Sequence, residues 1–325
     1  MFFGTIRKVK PNKLDELYDA IIVDKRNNSF NSSVTISSLG SALPIILTNQ
    51  IVLPRHGLNP LLLKYLKDNF NFMNADYLIK KQAGRSTYGT QIYFESVEEK
   101  ENTVVMPRGL IRELLKHCND QKIAYELYDK RVKLEPVNFT SLISLYDYQQ
   151  EAVEIVCKKD FGVVVAPPGS GKTLMALDIV ARKQQPTLII VHLRQLFDQW
   201  VDRIQSSLNI PKFQIGSIEG GRCEIGKEIT VAMIQSMQTP NLPDTEKLYH
   251  AFGTIIVDEC HHIPAKTFRE IIRNFHSFYL YGLTATPIRK NKDEKLIFMH
   301  LLKLWMPSVK FTQTCRLSLD RGNSG

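Results

Sequence analysis

The chain has 325 residues, of which 43% are hydrophobic and 23% charged, and its formal net charge is +9. This length suggests about two domains with a sizeable core, which excludes a miniature disulfide scaffold, and the basic balance favours a polyanionic partner. The start lacks the apolar core of a signal peptide and no stretch approaches the roughly 18 apolar residues of a membrane span, so we expect a soluble cytoplasmic protein without a membrane partner.

Residues 1–44 show no readable pattern, and we predict no role for them. From residue 45 a pattern of strand, turn and helix occurs twice, as IVLPRHGL at 51–58 and as VVMPRGLI at 104–111. In each copy a proline ends the strand, an arginine stands in the turn, and an apolar period typical of a helix follows. This internal repeat predicts two strand-helix units that pack together in a smaller α+β domain over residues 45–140.

A basic, hydroxyl-rich turn lies between the two copies. It reads KKQAGRSTYGT at 80–90 and precedes QIYFES at 91–96, whose alternation predicts a strand. Among the segments of the first half, this turn is the best suited to face a polyanion.

The second half has a different texture, which begins after the polar stretch from Glu135 to Ser144. Continuous apolar runs alternate there with amphipathic helical periods, a pattern that predicts a mostly parallel sheet with helices on both faces. Ligands of such sheets bind beyond the carboxyl ends of the strands. The predicted strands are GVVVA at 162–166, TLIIV at 187–191, ITVAMI at 229–234, TIIVDE at 254–259 and YLYGLTAT at 279–286.

A phosphate-binding loop follows the first of these runs and opens a helix. Its glycines allow backbone N–H groups to converge on phosphate oxygens, Lys172 reaches the β- and γ-phosphates, and the Thr173 hydroxyl holds Mg²⁺. We therefore predict ATP and Mg²⁺ as cofactors, against the alternative of an ordinary glycine-rich turn. The loop consists of Ala166, Pro167, Pro168, Gly169, Ser170, Gly171, Lys172 and Thr173.

Acidic and hydroxyl side chains end the two last predicted strands. Asp258 is expected to bind the Mg²⁺, and Glu259 to orient and deprotonate the water that attacks the γ-phosphate. His261 would bridge toward neighbouring strands. The hydroxyls of Thr284 and Thr286 would link this edge of the sheet to the part of the protein that moves when ATP is cleaved. Taken alone, the acidic segment is also compatible with a solvated strand end, and the hydroxyl segment with a capped strand end.

In this order, the motifs resemble those of the superfamily 2 DNA helicases and translocases, of the XPB/UvsW-like branch with its DEAD/DEAH-box and type III restriction relatives. The resemblance implies a RecA-like P-loop NTPase lobe over 141–310 that couples ATP hydrolysis to movement along nucleic acid, with DNA favoured over RNA. LYDYQQEA at 145–152 resembles the adenine-recognising segment, which makes Gln149 the base-reading amide.

Two further segments, at 191–200 and 230–236, resemble the strand-gripping motifs of such a lobe. They imply nucleic-acid contacts by Arg194, Gln235 and Ser236. Arg194 could instead cap its helix and the other two could close a strand, while Trp200 is expected in the core.

The front half resembles the region before the motor in helicases of mobile-element conflict systems. This looser likeness implies that Arg55, Arg85, Ser86 and Arg108 face DNA, whereas the alternative makes them turn residues of a scaffold. No second RecA-like lobe is recognisable after residue 287, and residues 311–325 form a polar tail. We therefore expect weak or absent hydrolysis unless that lobe comes from a missing C-terminal part or another chain, because it supplies the arginine fingers.

Two other function classes share part of this pattern. A P-loop kinase or other small-molecule NTPase would need Lys172 and Thr173, but not the further motifs. A non-hydrolysing nucleotide- and DNA-binding module would keep the nucleotide fold without its chemistry.

Overall fold

The computed structural model describes residues 42–238, 245–262, 265–285 and 303–304. The chain forms two units, which divide between Lys130 and Arg131. The linker composition predicts this boundary later, at residue 140. The N-terminal residues 1–41, Thr286 and the polar tail lie outside the described residues. None of the described helices is long and apolar enough to cross a membrane.

The first unit is built on a mixed sheet with the strand order β5-β6-β2-β1-β7, and among its described strand pairs only β1 and β7 are parallel. Its elements are β1 (Leu43–Leu47), β2 (Gln50–Pro54), α1 (Pro60–Phe70), β3 (Phe72–Met73), α2 (Ala75–Gln82), β4 (Tyr93–Phe94), β5 (Glu98–Glu99), β6 (Thr103–Pro107), α3 (Ile111–Asp120) and β7 (Tyr125–Asp129).

The two copies of the repeat form adjacent strands and neighbouring helices. β2 pairs with β6 in antiparallel register, and each strand ends at its proline. Pro60 starts α1, where its missing N–H costs nothing, and the Asn59 side chain caps the helix by accepting from the Leu61 N–H. The rings of Tyr65 on α1 and His117 on α3 stack 3.5 Å apart. The prediction of two packed strand-helix units is confirmed.

The strand predicted at 91–96 is much shorter than its alternating pattern suggested. Only Tyr93 and Phe94 form a strand, β4, which pairs with β3. The N–H groups of Ser96 and Val97 instead donate to the Oδ1 atom of Asn71, at 2.8 and 2.9 Å. A side-chain amide thus takes the backbone donors that a longer ladder would have used.

The second unit is built on a sheet with the order β11-β10-β12-β9-β13-β14-β8-β15, in which every described pair is parallel except β10 with β11. This confirms the α/β, RecA-like class, and all five predicted strands are present. The elements are α4 (Asp147–Cys157), β8 (Phe161–Val165), α5 (Lys172–Lys183), β9 (Thr187–Val191), α6 (Arg194–Leu208), β10 (Gly216–Glu219), β11 (Arg222–Glu224), β12 (Ile229–Met233), α7 (Thr245–His250), β13 (Thr254–Val257), α8 (Ala265–Ile272), β14 (Tyr279–Thr284) and β15 (Lys303–Leu304).

The order of the strands decides which loops meet. β14 lies between β8 and β13, so the loop after β8, the acidic turn after β13 and Thr284 share one edge of the sheet. The strands themselves are nearly continuous runs of buried apolar residues, because helices cover both faces. The polar groups of the site therefore stand at the end of a rigid, dry sheet.

Candidate functional site

The phosphate loop is fastened to the sheet edge by its backbone. The Ala166 N–H donates to the Thr284 carbonyl at 3.0 Å, and the loop then turns through Gly169 and Gly171, whose φ angles are +76° and +80°. Gly171 directly precedes α5, and within the described part of the chain no side chain caps that helix. The N–H groups at the start of α5 thus face the loop, the arrangement in which helix N-termini bind phosphate.

Lys172 lies folded over its own loop. Its Nζ donates to the carbonyls of Ala166 and Pro167 at 3.1 and 3.3 Å, and it lies 3.9 Å from the Oε1 atom of Glu259. The ammonium group is therefore already between the loop and the acidic turn, held by bonds to neutral carbonyls that a phosphate can replace.

Gln149 has a contact that the sequence did not predict. Its side chain is 3% exposed, its Oε1 accepts from the Tyr146 N–H at 3.0 Å, and its Nε2 donates to the Ser170 carbonyl at 2.9 Å. The amide thus ties the start of α4 to the phosphate loop, whereas the predicted contact with a base stays a prediction. The exposed ring of Tyr146 lies parallel to that of Tyr148, with 5.9 Å between the centroids.

Asp258 is buried, with both carboxylate oxygens bonded within the protein. Oδ2 accepts from the Trp200 indole N–H at 2.8 Å, and Oδ1 accepts from the Glu259 N–H at 2.9 Å. Burial raises the pKa of Asp258, the negative charge of Glu259 raises it further, and the Trp200 hydrogen bond and the Lys172 charge oppose the shift. The bond to Trp200 is a feature that sequence reasoning missed, because indole rings in amphipathic helices usually serve only as core.

The acidic turn is linked to β14 through His261. The Nδ1 atom of His261 lies 3.2 Å from the Oε2 atom of Glu259 and 2.7 Å from the Oγ1 atom of Thr284. The tautomer of the ring determines whether the hydroxyl donates or accepts. A chain of contacts from Lys172 through Glu259 and His261 to Thr284 therefore runs along the sheet edge.

The side chains at this edge suit Mg²⁺ better than a metal held by protein alone. Within the described ranges, no group of three or more His, Cys, Asp or Glu side chains is arranged to hold a metal ion. Mg²⁺ typically takes one or two carboxylates and completes its shell with water and phosphate oxygens. Asp258 and the Thr173 hydroxyl fit that requirement.

The candidate strand-gripping residues lie after β9 and β12 and take part in local contacts. Arg194 forms ion pairs with Asp198 and Glu219. Gln235 donates to the His192 carbonyl at 2.9 Å, and the Ser236 hydroxyl accepts from the Gly220 N–H at 3.1 Å. These bonds stabilise the loops in which the three residues lie, as the alternative role of closing the loops requires. The contacts of these residues with nucleic acid stay a prediction.

The candidate residues of the first unit differ in exposure. Arg85 and Ser86 are exposed, and Arg55 is partly exposed in an ion pair with Glu99. Arg108, however, is only 2% exposed, so the expectation that its side chain faces DNA is wrong. The physical reason is its place: it follows the fully buried β6 and sits in a short 3₁₀ turn, 108–110, whose three residues are all buried.

The second unit matches a known family in sequence. Residues 142–289 match the family described as "Type III restriction enzyme, res subunit". A DNA 3'-5' translocase XPB2 of Sulfurisphaera tokodaii is 40% identical over 154 residues, 47% of this chain and 33% of that protein. A DNA 3'-5' helicase XPB of Kineococcus radiotolerans is 34% identical over 160 residues, 48% of this chain and 28% of that protein. The chain spans about a quarter to a third of the length of these relatives.

A solved structure extends the likeness beyond that region. The UvsW helicase from bacteriophage T4 superposes with a TM-score of 0.60 over 81% of this chain and 98% of that one, at 18% identity. At this identity the likeness concerns the fold.

Proposed function

We propose that residues 142–289, which match the type III restriction enzyme res subunit family, are a motor lobe of the superfamily 2 helicases of the XPB-like branch. On this premise the chain is the nucleotide- and DNA-binding portion of an ATP-dependent DNA helicase or translocase. The observation that carries the proposal is the shared sheet edge, where Lys172, Glu259, His261 and Thr284 form one chain of contacts.

ATP binding would begin with Lys172. Its ammonium group would exchange the carbonyls of Ala166 and Pro167 for phosphate oxygens, while the first N–H groups of α5 bind the same phosphates. Thr173 and Asp258 would hold the Mg²⁺, which when bound neutralises phosphate charge.

Hydrolysis would depend on Glu259 as the group that orients and deprotonates the attacking water. Its φ of +42° places this side chain by a strained turn directly after Asp258. The neighbouring His261 would pass a change at Glu259 to Thr284 on β14.

Each of the two units would make its own contacts with nucleic acid. In the second unit, Arg194 after β9 and Gln235 and Ser236 after β12 would contact the nucleic-acid strand. In the first unit, the exposed Arg85 and Ser86 would contact phosphates. Beside them the ring of Tyr88 is 98% exposed, which suits stacking on an unpaired base.

The preference for DNA rests on the relatives. The XPB proteins from Sulfurisphaera tokodaii and Kineococcus radiotolerans are named as a DNA translocase and a DNA helicase. The same proposal includes a second RecA-like lobe, from a C-terminal part or from another chain, that completes the ATP cleft.

The test is ATP hydrolysis with and without single-stranded and forked DNA, with Lys172→Ala and Glu259→Gln as variants. We expect DNA to raise the rate, Lys172→Ala to abolish it, and Glu259→Gln to reduce it by about 10²–10⁴ while ATP still binds. An ATP hydrolysis rate that does not change when DNA is added would favour a small-molecule NTPase. ATP binding without hydrolysis is also the result expected of a lobe that lacks arginine fingers, so the measurement is then repeated on a longer polypeptide that includes the second lobe. Absent hydrolysis in that polypeptide, unchanged by Glu259→Gln, would favour a non-hydrolysing module.

A further inference from the structure

The indole of Trp200 joins two motifs that lie far apart in the sequence. Trp200 stands on α6, 58 residues before Asp258, and its N–H donates to the Oδ2 atom of that carboxylate at 2.8 Å. The ring is 1% exposed and Asp258 is 7% exposed. The contact is therefore a buried hydrogen bond to an acidic group, which is short and directional.

The bond determines the orientation of the carboxylate. One oxygen accepts from Trp200 and the other accepts from the backbone N–H of Glu259 at 2.9 Å. With a donor on each oxygen, the plane of the carboxylate is defined before any ion arrives, and the remaining lone pairs keep fixed directions. Such outer partners of a metal-binding carboxylate typically change metal affinity 10–100-fold when they are removed.

We propose that Trp200 is a positioning residue, whose indole N–H orients the Asp258 carboxylate toward the Mg²⁺ of the bound nucleotide. This inference rests on the proposed ATP site and adds to it a residue outside the phosphate loop and the acidic turn. It also gives α6, which begins at Arg194, a direct contact with the nucleotide edge.

The first experiment compares Trp200→Phe with the unaltered chain. Phenylalanine keeps an aromatic side chain in the core and removes only the donor. With a fluorescent, non-hydrolysable ATP analogue, we expect the Mg²⁺ concentration for half-maximal binding to rise about 10-fold. Binding of the analogue without Mg²⁺ should stay as it is, because the phosphate loop is untouched.

A core variant at a distance provides the matched control. Phe275 is as buried as Trp200, and its ring packs against Tyr249 and Phe252. Those two residues precede the start of β13, whereas Asp258 follows its end, so the control site lies at the opposite end of that strand. Phe275→Leu should lower the melting temperature but leave the Mg²⁺ dependence unchanged. A shift in both variants would mean that Trp200 acts only through packing.

A spectroscopic measurement keeps the proposal testable if Trp200→Phe fails to fold. The chain has two tryptophans, so a Trp305→Phe variant leaves Trp200 as the only indole emitter. We expect the fluorescence emission of Trp200 to change when Mg²⁺ is added to the nucleotide-bound protein. The bound ion would withdraw electron density from the Asp258 carboxylate, which accepts the hydrogen bond of the indole.

The outcomes separate the two proposals. A folded Trp200→Phe variant with unchanged Mg²⁺ dependence overturns the positioning role, as does a Trp200 emission that ignores Mg²⁺. If the unaltered chain shows no Mg²⁺-dependent nucleotide binding at all, the proposed ATP site itself is wrong.

Discussion

The tightest constraint in the site is the missing side chain at position 171. The φ of Gly171 is +80°, and a Cβ atom there would lie 2.3 Å from the Nε2 atom of Gln149. Gly169 has a similar φ of +76° but open space around it. The two glycines of the loop therefore have different roles: both permit the turn, and Gly171 also admits the Gln149 amide that bonds to Ser170.

We predict that Gly171→Ala destabilises the second unit more than Gly169→Ala and weakens ATP binding more. The left-handed conformation costs an alanine about 1–2 kcal/mol at either position, and only at 171 must Gln149 also move. Urea unfolding and binding of a fluorescent ATP analogue measure the two effects.

The double variant Gly171→Ala with Gln149→Ala tests the contact itself. Since the second change removes the clash, the double variant should lose less stability than the sum of the two single variants. Additive losses would contradict the contact.

At the scale of elements, pairs of segments are joined by side chains at both ends of the sheet. At the carboxyl end, Trp200 joins α6 to the turn after β13. Near the other end, the ring of His250, the last residue of α7, stacks on that of His276 at 4.4 Å, just before β14. The first contact belongs to the candidate site, whereas the second holds a helix against the sheet.

The histidine stack predicts a pH dependence of stability. Burial lowers the pKa of His276, and the neighbouring His250 lowers it further. Between the lowered value and about 6.5, the ordinary value, the unfolded chain binds more protons than the folded one, so stability falls as the pH falls through this window.

Replacement of the titrating ring should remove that contribution. We expect His276→Gln to flatten the decrease in the free energy of unfolding below about pH 6.5, measured by urea titrations at several pH values. The exposed His250 lowers the pKa of His276 less than burial does, so His250→Gln should flatten the decrease less than His276→Gln. Identical pH profiles for all three proteins would exclude the stack as the source.

At the scale of the whole molecule, a net charge of +9 is divided over two units of different construction. Charge alone favours any polyanion, and a specific role requires that particular cations bind phosphates. In the first unit, Arg85 is an exposed candidate, and Arg112 on α3 is an exposed arginine outside the candidate set. These two residues form a matched pair for a test.

We predict that affinity for single-stranded DNA falls steeply with salt concentration. Each phosphate contact contributes about 0.7 to the slope of log affinity against log salt. Arg85→Ala should therefore lower the slope by about 0.7, whereas Arg112→Ala, with the same change of charge, should leave it nearly unchanged. Fluorescence anisotropy of labelled DNA measures both, and a flat salt response would rule out phosphate contacts.

The local pattern of the chain determined much of the fold and part of the site. Periodicity and apolar runs predicted the five central strands, and the glycines before Lys172 predicted the loop and the helix after it. These features depend on consecutive residues, because backbone freedom and burial on both faces of a strand leave a direct trace in the sequence. The strand 91–96 was overestimated since a distant side chain, that of Asn71, takes its donors.

Only the tertiary structure decided which of these residues meet and which face outward. Arg55 and Arg108 follow the same strand-proline pattern, yet one is partly exposed and the other buried, because the turns after β2 and β6 pack differently. Gln149 meets Ser170 across 21 residues, and Trp200 meets Asp258 across 58. Such contacts depend on the order of the strands and on how each helix packs over the sheet, which local sequence does not determine.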